Sequence, residues 1–337
     1  MRRGVILALV LLALCEAVYA QGSVAILVSD NPADHAAATV WAEKIGASLV
    51  VTPWGSLSAD AVGEVLSSGA DIVYVVGGAV AVPEAEAELG RYGLSVIRVG
   101  GADRMETSLE VGKRFSVRRA VALDGYDRAG LEDAVTIGRA EGIPVVFVGR
   151  ADTLAGEKLK GAGFDEVTLI SNPALDEAVK GSIADAGLSL TEPSRSMAKA
   201  AQDMIGLAEE RINGTAGLVR TVKDGPSLAA AGLLVDSKIM LARAKEALDG
   251  GNYRDAFVYA AASDEYALYA MSIYEGRYPG RIVDMVAEAN EELSALGVEG
   301  AKDRLREKGA PYGVGLPVPP AIDLESYMVD VPGYTKS

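Results

Sequence analysis

Ile72 to Phe115 reads IVYVVGGAVAVPEAEAELGRYGLSVIRVGGADRMETSLEVGKRF, and this stretch decides the fold. Ile72, Val73, Val75 and Val76 form a short β-branched run closed by Gly77-Gly78; Val96, Ile97 and Val99 repeat the pattern before Gly100-Gly101. A helical pattern follows each glycine pair. The unit is therefore strand, turn, helix, strand, turn, helix.

Laid over itself with a shift of about 95 residues, the chain matches element for element. Val24 to Val28 falls on Ala120 to Leu123, Ser48 to Val51 on Pro144 to Val148, Ile72 to Val76 on Val167 to Ile170, and Ser95 to Val99 on Leu188 to Leu190. Helical patterns fill the gaps at Ala36 to Ile45, Ala59 to Leu66, Leu131 to Ala140 and Pro173 to Ala186. Strands alternating with helices predict parallel, Rossmann-like α/β sheets with right-handed crossovers. The first copy spans about 22–115 and the second about 116–192.

The order VGG, a VP-E helix and GGADRxET resembles the cell-wall-binding repeat 2 family, whose modules commonly read VYIVGG…VS…ERIGGADRYET. The second copy keeps Gly125, an Asp133-Ala134 pair like the family's DAL helix start, and Ile143-Pro144-Val145-Val146-Phe147, like its PILL strand. It lacks the signature, with Ile170-Ser171-Asn172-Pro173 in place of VVGG and Glu192-Pro193-Ser194-Arg195 in place of GGADR. The resemblance implies wall-polymer binding through Asp103, Arg104, Glu106 and Thr107 and through Pro144, Val145 and Val146. Family members typically carry three repeats; two are visible here. Gly77 and Gly78 end a strand where open α/β sheets hold ligands, so they either cradle an anion or only supply turns. Arg104 either pairs with a carboxylate of the protein or holds a ligand's acid group.

Arg2 and Arg3 precede an apolar run from Val5 to Cys15, and Val18-Tyr19-Ala20 has the small residues that signal peptidase requires, so residues 1–20 read as an export signal cleaved after Ala20. The one cysteine, Cys15, lies in that segment, which leaves no thiol for catalysis, metal binding or a disulfide. Residues 1–20 contain Arg2, Arg3 and Glu16, so the remainder carries a net charge of −16, against nucleic acid as a partner. From Gln21 to Gly90 Lys44 is the sole cation, whereas Arg91, Arg98, Arg104, Lys113, Arg114, Arg118 and Arg119 crowd the next segment. They form a basic patch or simply balance neighbouring carboxylates. No G-x-G-x-x-G and no P-loop occurs. With His35 as the single histidine, neither a Ser-His-Asp site nor a metal cluster assembles, and Glu209-Glu210 and Glu291-Glu292 sit on different helix faces. No catalytic residue, metal or cofactor is expected, and no second hydrophobic span.

Past Pro193 the chain becomes alanine-rich and helical, which sets a boundary at Thr191 to Ser196 and predicts a helical bundle over 196–310. A first helix runs from Met197 and ends at Asn213-Gly214; a second ends at Gly250-Gly251. The third, Tyr253 to Tyr274, is apolar on two stripes and should be the centre of the bundle, completed by Arg281 to Leu296. The second and third together resemble a tetratricopeptide-like hairpin. Tyr259, Tyr266 and Tyr269 line one stripe, as core or as a carbohydrate-stacking surface. Asn213-Gly214-Thr215 is an N-glycosylation sequon. Residues 311–337 contain five prolines and read as a strap or tail. These features imply an exported, non-catalytic envelope protein that attaches non-covalently to a wall polymer, glycan or surface-layer protein and is compatible with homo-oligomers. The alternatives are an extracytoplasmic solute-binding protein and an envelope hydrolase.

Overall fold

The computed structural model describes residues 23–277 and 282–312. The expected export signal, with its cleavage site, and the tail from 313 lie outside the described residues. The first repeat comprises β1 (Val24–Ser29), α1 (Pro32–Ile45), β2 (Ser48–Thr52), α2 (Ala59–Ser67), β3 (Ile72–Val76), α3 (Ala85–Gly90), β4 (Ser95–Val99) and α4 (Arg104–Gly112). The second comprises β5 (Arg119–Asp124), α5 (Leu131–Glu141), β6 (Val145–Val148), α6 (Ala155–Gly161), β7 (Glu166–Ile170), α7 (Glu177–Asp185) and β8 (Ser189–Thr191). Each repeat forms a four-stranded, fully parallel sheet, in the orders β2-β1-β3-β4 and β6-β5-β7-β8. The α/β repeats are as the alternating pattern predicts. One helix is shorter than expected: Asn172 takes the N–H groups of Ala174 and Leu175 on its side-chain oxygen, so Pro173 to Asp176 is a turn and α7 starts after an Asp176 cap.

The two sheets are joined through apolar packing rather than by a linker. Ile26 and Val28 of β1, Trp41 of α1, Met105 and Val111 of α4, and Val121, Leu123, Val145 and Phe147 of the second sheet belong to one buried cluster. Alternation along the strands separates the faces: Ala25 and Leu27 turn instead to α2 and α3, and Ala122 and Val146 to α6 and α7. The edge of β6 is closed by α4, whose Ser108 hydroxyl accepts the Phe147 N–H at 2.8 Å. Burying large apolar side chains such as Phe147 contributes about 2 kcal/mol each, so the shared core holds the repeats as one body.

The helical part contains α8 (Met197–Leu218), α9 (Gly225–Asp249), α10 (Tyr253–Tyr274) and α11 (Ile282–Gly309), with a break in α11 at Gly297. α8 continues through Asn213-Gly214, contrary to the expected stop. Thr215 is buried there and donates to the Ala267 carbonyl at 3.2 Å, and packing on α10 outweighs the weak helix propensity of the two residues. α9, not α10, is the central helix, since it packs on α8, α10 and α11. By length and composition α9 is apolar enough to cross a membrane, which the sequence reading overlooked; most of it is buried among its neighbours. α10 is sandwiched as its stripes require: Phe257 and Ala261 face α8 and the second repeat, while Tyr266, Ala270 and Ile273 face α9. Tyr266 is core.

The Gly-Gly turns ending β3 and β4 touch each other. A Cβ added at Gly100 would lie 2.5 Å from the Gly77 carbonyl oxygen, whereas Gly90 has open space around it. Gly100→Ala should therefore cost about 2 kcal/mol of stability through overpacking, and Gly90→Ala should not. Urea denaturation of both variants is the check, and equal midpoints would contradict the close approach.

Candidate functional site

Each residue of the signature has a structural partner. Asp103 caps α4 by accepting the Glu106 N–H at 2.8 Å, and Glu106 reaches back to accept the Ala102 N–H at 2.9 Å. The Thr107 hydroxyl, buried, accepts the Gly101 N–H at 3.1 Å. Gly77 has φ of 118°, a backbone conformation suited to glycine. Arg98 ties the turn down: its guanidinium donates to the carbonyls of Gly77 (3.0 Å), Gly78 (2.9 Å) and Val82 (2.8 Å) and pairs with Glu86.

Arg104 leaves its own repeat. It donates to the Gly125 carbonyl past β5 at 2.9 Å, pairs with both carboxylate oxygens of Glu265 on α10 (3.3 and 3.0 Å), and stacks 4.0 Å over the Tyr126 ring. Burial pushes the Glu265 carboxyl up, and the Arg104 charge outweighs this, holding it below the usual carboxylate range. The neighbouring Asp264 receives Arg128 from the second repeat and Arg211 from α8, both at 2.7 Å. Arg277, at the end of α10, donates to the Trp54 carbonyl beyond β2, and Trp54 lies 5.8 Å from Tyr269. A narrow crevice at this junction is lined by Pro32 and Ala33, Arg104, Tyr126, Arg128, Asp264 and Glu265.

The strand ends of the second repeat are filled from within. Asp124, at the end of β5, binds the Arg150 guanidinium at 2.6 Å and the Asn172 amide at 3.1 Å; Asp127 binds Arg195 and Asn172. Arg150 stacks between Tyr126 and Phe257. At the topological switch point, where an open α/β sheet would seat a ligand, the protein seats its own arginine. In the first repeat that position holds Asp34, which is buried beside the Gly77 turn. Burial raises its carboxyl to about 6, against the lowering pull of Arg104 and of a hydrogen bond from Ser29.

The expected site residues therefore do not converge on one ligand surface. Gly77, Gly78, Asp103, Arg104, Glu106 and Thr107 gather at one end of the first sheet, all engaged locally or with α10. Pro144, Val145 and Val146 lie in the core of the second repeat and offer no exposed group. Asn213 is exposed on α8, but the Thr215 of its sequon is buried. Six of the seven cations of the basic segment are in ion pairs: Arg91 with Glu88, Arg98 with Glu86, Arg104 with Glu265, Lys113 with Glu110, Arg118 with Asp165, and Arg119 with Glu141 and Glu166, while the Arg114 guanidinium lies 6.0 Å over the Tyr74 ring. Sequence reasoning missed Asp264 and Glu265, although two adjacent acids within AAASDEYALYA signal buried cationic partners. It also missed Arg150 and Arg195, which nothing in their local sequence distinguishes from surface arginines.

No family model matches the chain. Over 91 residues it is 37% identical to an uncharacterized protein of Methanocaldococcus jannaschii, a match covering 27% of this chain and 27% of that protein. The chain thus spans little more than a quarter of the curated relative. Among solved structures it is similar to Cwp6 from Clostridium difficile, with a TM-score of 0.43 and 18% identity over 54% of this chain and 31% of that one. Its similarity to Cwp8 from Clostridium difficile has a TM-score of 0.45 and 24% identity over 55% of this chain and 33% of that one.

Two outcomes follow from the charges. Removing one partner of a buried ion pair costs about 3 kcal/mol, so Arg104→Met should lower the denaturation midpoint strongly, Arg104→Lys less, and an exposed pair variant such as Arg91→Met hardly at all. Equal midpoints for Arg104→Met and Arg91→Met would rule out the clamp. Asp34 carries the opposite sign from a paired acid. Its folded value of about 6 exceeds the ordinary 3.8, so its contribution is fully present below pH 4 and lost as pH rises through 6, by about 3 kcal/mol. Asp34→Asn should raise the Tm at pH 8 and change it little at pH 4; melts at both pH values decide, and a lower Tm at pH 8 would refute the assignment.

Proposed function

We propose that this chain is an exported, non-catalytic protein of the cell envelope that attaches non-covalently to a wall or surface-layer polymer or glycan. Its family reading rests on the signature from Ile72 to Phe115. The observation that carries the mode of action is the single apolar core shared by β1, α1 and α4 of the first repeat with β5 and β6 of the second. Two α/β lobes that clamp a small solute have to hinge apart, and these lobes would expose buried Phe147, Val121 and Ile26 in doing so. A rigid body with self-filled strand ends favours recognition of an extended partner across its surface over enclosure of a metabolite. Hydrolysis is the weakest reading, because the carboxylates at the strand ends, other than Asp34, are engaged by arginines, lysines, side-chain hydroxyl or amide groups, or backbone N–H groups of the protein itself.

The chain produced from Gln21 onward should co-sediment with purified envelope from its host and should show no heat of binding with small metabolites. A hydrolysis assay on wall material should release no product. Failure to co-sediment, together with saturable binding of a metabolite, would replace this reading with the solute-binding one.

A further inference from the structure

Four strands stand at the edges of the two sheets, and three of them are guarded. β6 is covered by α4, with Ser108 accepting its outward Phe147 N–H. β4 carries a charged residue, Arg98, whose guanidinium turns back onto Glu86 and the Gly77, Gly78 and Val82 carbonyls. β8 is three residues long and runs into Glu192-Pro193. Charge, shortness, proline and helical cover are the usual means by which natural sheets avoid edge-to-edge pairing.

β2 is the least guarded: no described helix covers its edge, and the one such device, Pro53, lies just past its last residue. Its sequence, Ser48-Leu49-Val50-Val51-Thr52, is uncharged and lacks glycine and proline. Thr52 offers its carbonyl inward to Asp30, so the backbone groups of Leu49 and Val51 point away from the sheet. Val51 is 39% exposed and Ile45 nearby is 43% exposed, whereas every residue of the equivalent strand β6 is buried. The internal repeat thus provides its own control: the same strand in the second copy is covered, and in the first it is open.

We propose that β2 is a self-association edge, on which a second copy of this chain pairs antiparallel about a two-fold axis through Val50. The strand is complementary to itself in that register. Leu49 falls opposite Val51 of the second copy and the reverse, and these are the residues with outward N–H and C=O groups, so four main-chain hydrogen bonds form across the dyad. Ser48 meets Thr52 at each end, and no charge opposes a like charge. The side chains of Leu49 and Val51 extend the apolar face that already runs from α1 and the shared core, so the new contact continues an existing one. A two-fold, isologous pair closes on itself and leaves no edge of β2 free. This inference is independent of the envelope-binding reading.

Sedimentation equilibrium of the chain from Gln21 onward over the micromolar range should show a monomer–dimer equilibrium. Added salt should strengthen it, because copies of net charge −16 repel each other. Val51→Pro removes two of the four hydrogen bonds and Val51→Lys places a cation on the edge; each should abolish the dimer with the Tm nearly unchanged, while Ile97→Lys on β4 should leave it intact. The chain from Gln21 has no cysteine, so a mixture of Leu49→Cys and Val51→Cys variants reports the register. Oxidation should cross-link the mixture and neither variant alone. A wild-type chain that stays monomeric at every salt concentration, a dimer that survives both Val51 substitutions, or a mixture that does not cross-link would each overturn the proposal.

Discussion

Arg104 brings a positive charge to the meeting point of three elements, and the arrangement of the molecule follows from where that charge is neutralised. Its guanidinium spans the first repeat, the Gly125 carbonyl of the second and Glu265 of the helical part. A charge so deeply placed is tolerable only with a planar, doubly bonded partner and satisfied donors, which is the geometry that arginine and a carboxylate provide and lysine does not. Because one residue engages all three parts, each must be in place for the others to be stable there. The neighbouring Arg128–Asp264–Arg211 group repeats the same logic on the next residue of α10.

The two sheet ends illustrate how one topology can be closed in two ways. Parallel strands leave N–H groups and helix starts at their carboxyl ends, and these attract charge. In the second repeat the attraction is met by an internal network of Asp124, Arg150, Asn172, Asp127 and Arg195. In the first it is met by Asp34, whose burial, offset only in part by Arg104 and Ser29, makes its carboxyl retain a proton to higher pH. Asp236 in α9 is raised to about 6 as well, through burial that Lys308 offsets only in part. Both acids make the folded state less favourable as they ionise, opposite to the paired Glu265.

The repeat architecture also sets where the molecule is closed and where it is open. α4 of the first copy protects the β6 edge of the second, and α1 packs on α5 across the same seam. The second copy has no α4 of that kind to pass forward. The segment at the corresponding place, after Glu192-Pro193-Ser194-Arg195, enters α8 and the helical part instead. The chain of repeat-to-repeat contacts ends there, and at the other end of the described series the edge of β2 is covered by no described helix.

Alternation of β-branched runs with helices, doubled at a spacing of about 95 residues, was sufficient to read the parallel α/β repeats and the change to helices near Pro193, because those features depend on local propensity and on periods of two and 3.6 residues. The Gly-Gly turns were legible for the same reason, since they close strands that are local in sequence. The destination of a long side chain was not. Whether Arg104 faces a ligand or Glu265, 161 positions away, depends on which helix packs over the strand ends. No local pattern encodes that, and the same holds for Arg150, Arg195 and the stop of α8. Burial of Pro144, Val145 and Val146 and exposure of Val51 likewise follow from α4 covering β6 while no described helix covers β2. Those outcomes belong to tertiary packing, which places groups distant in sequence within ångströms of one another and decides which charges meet inside the protein.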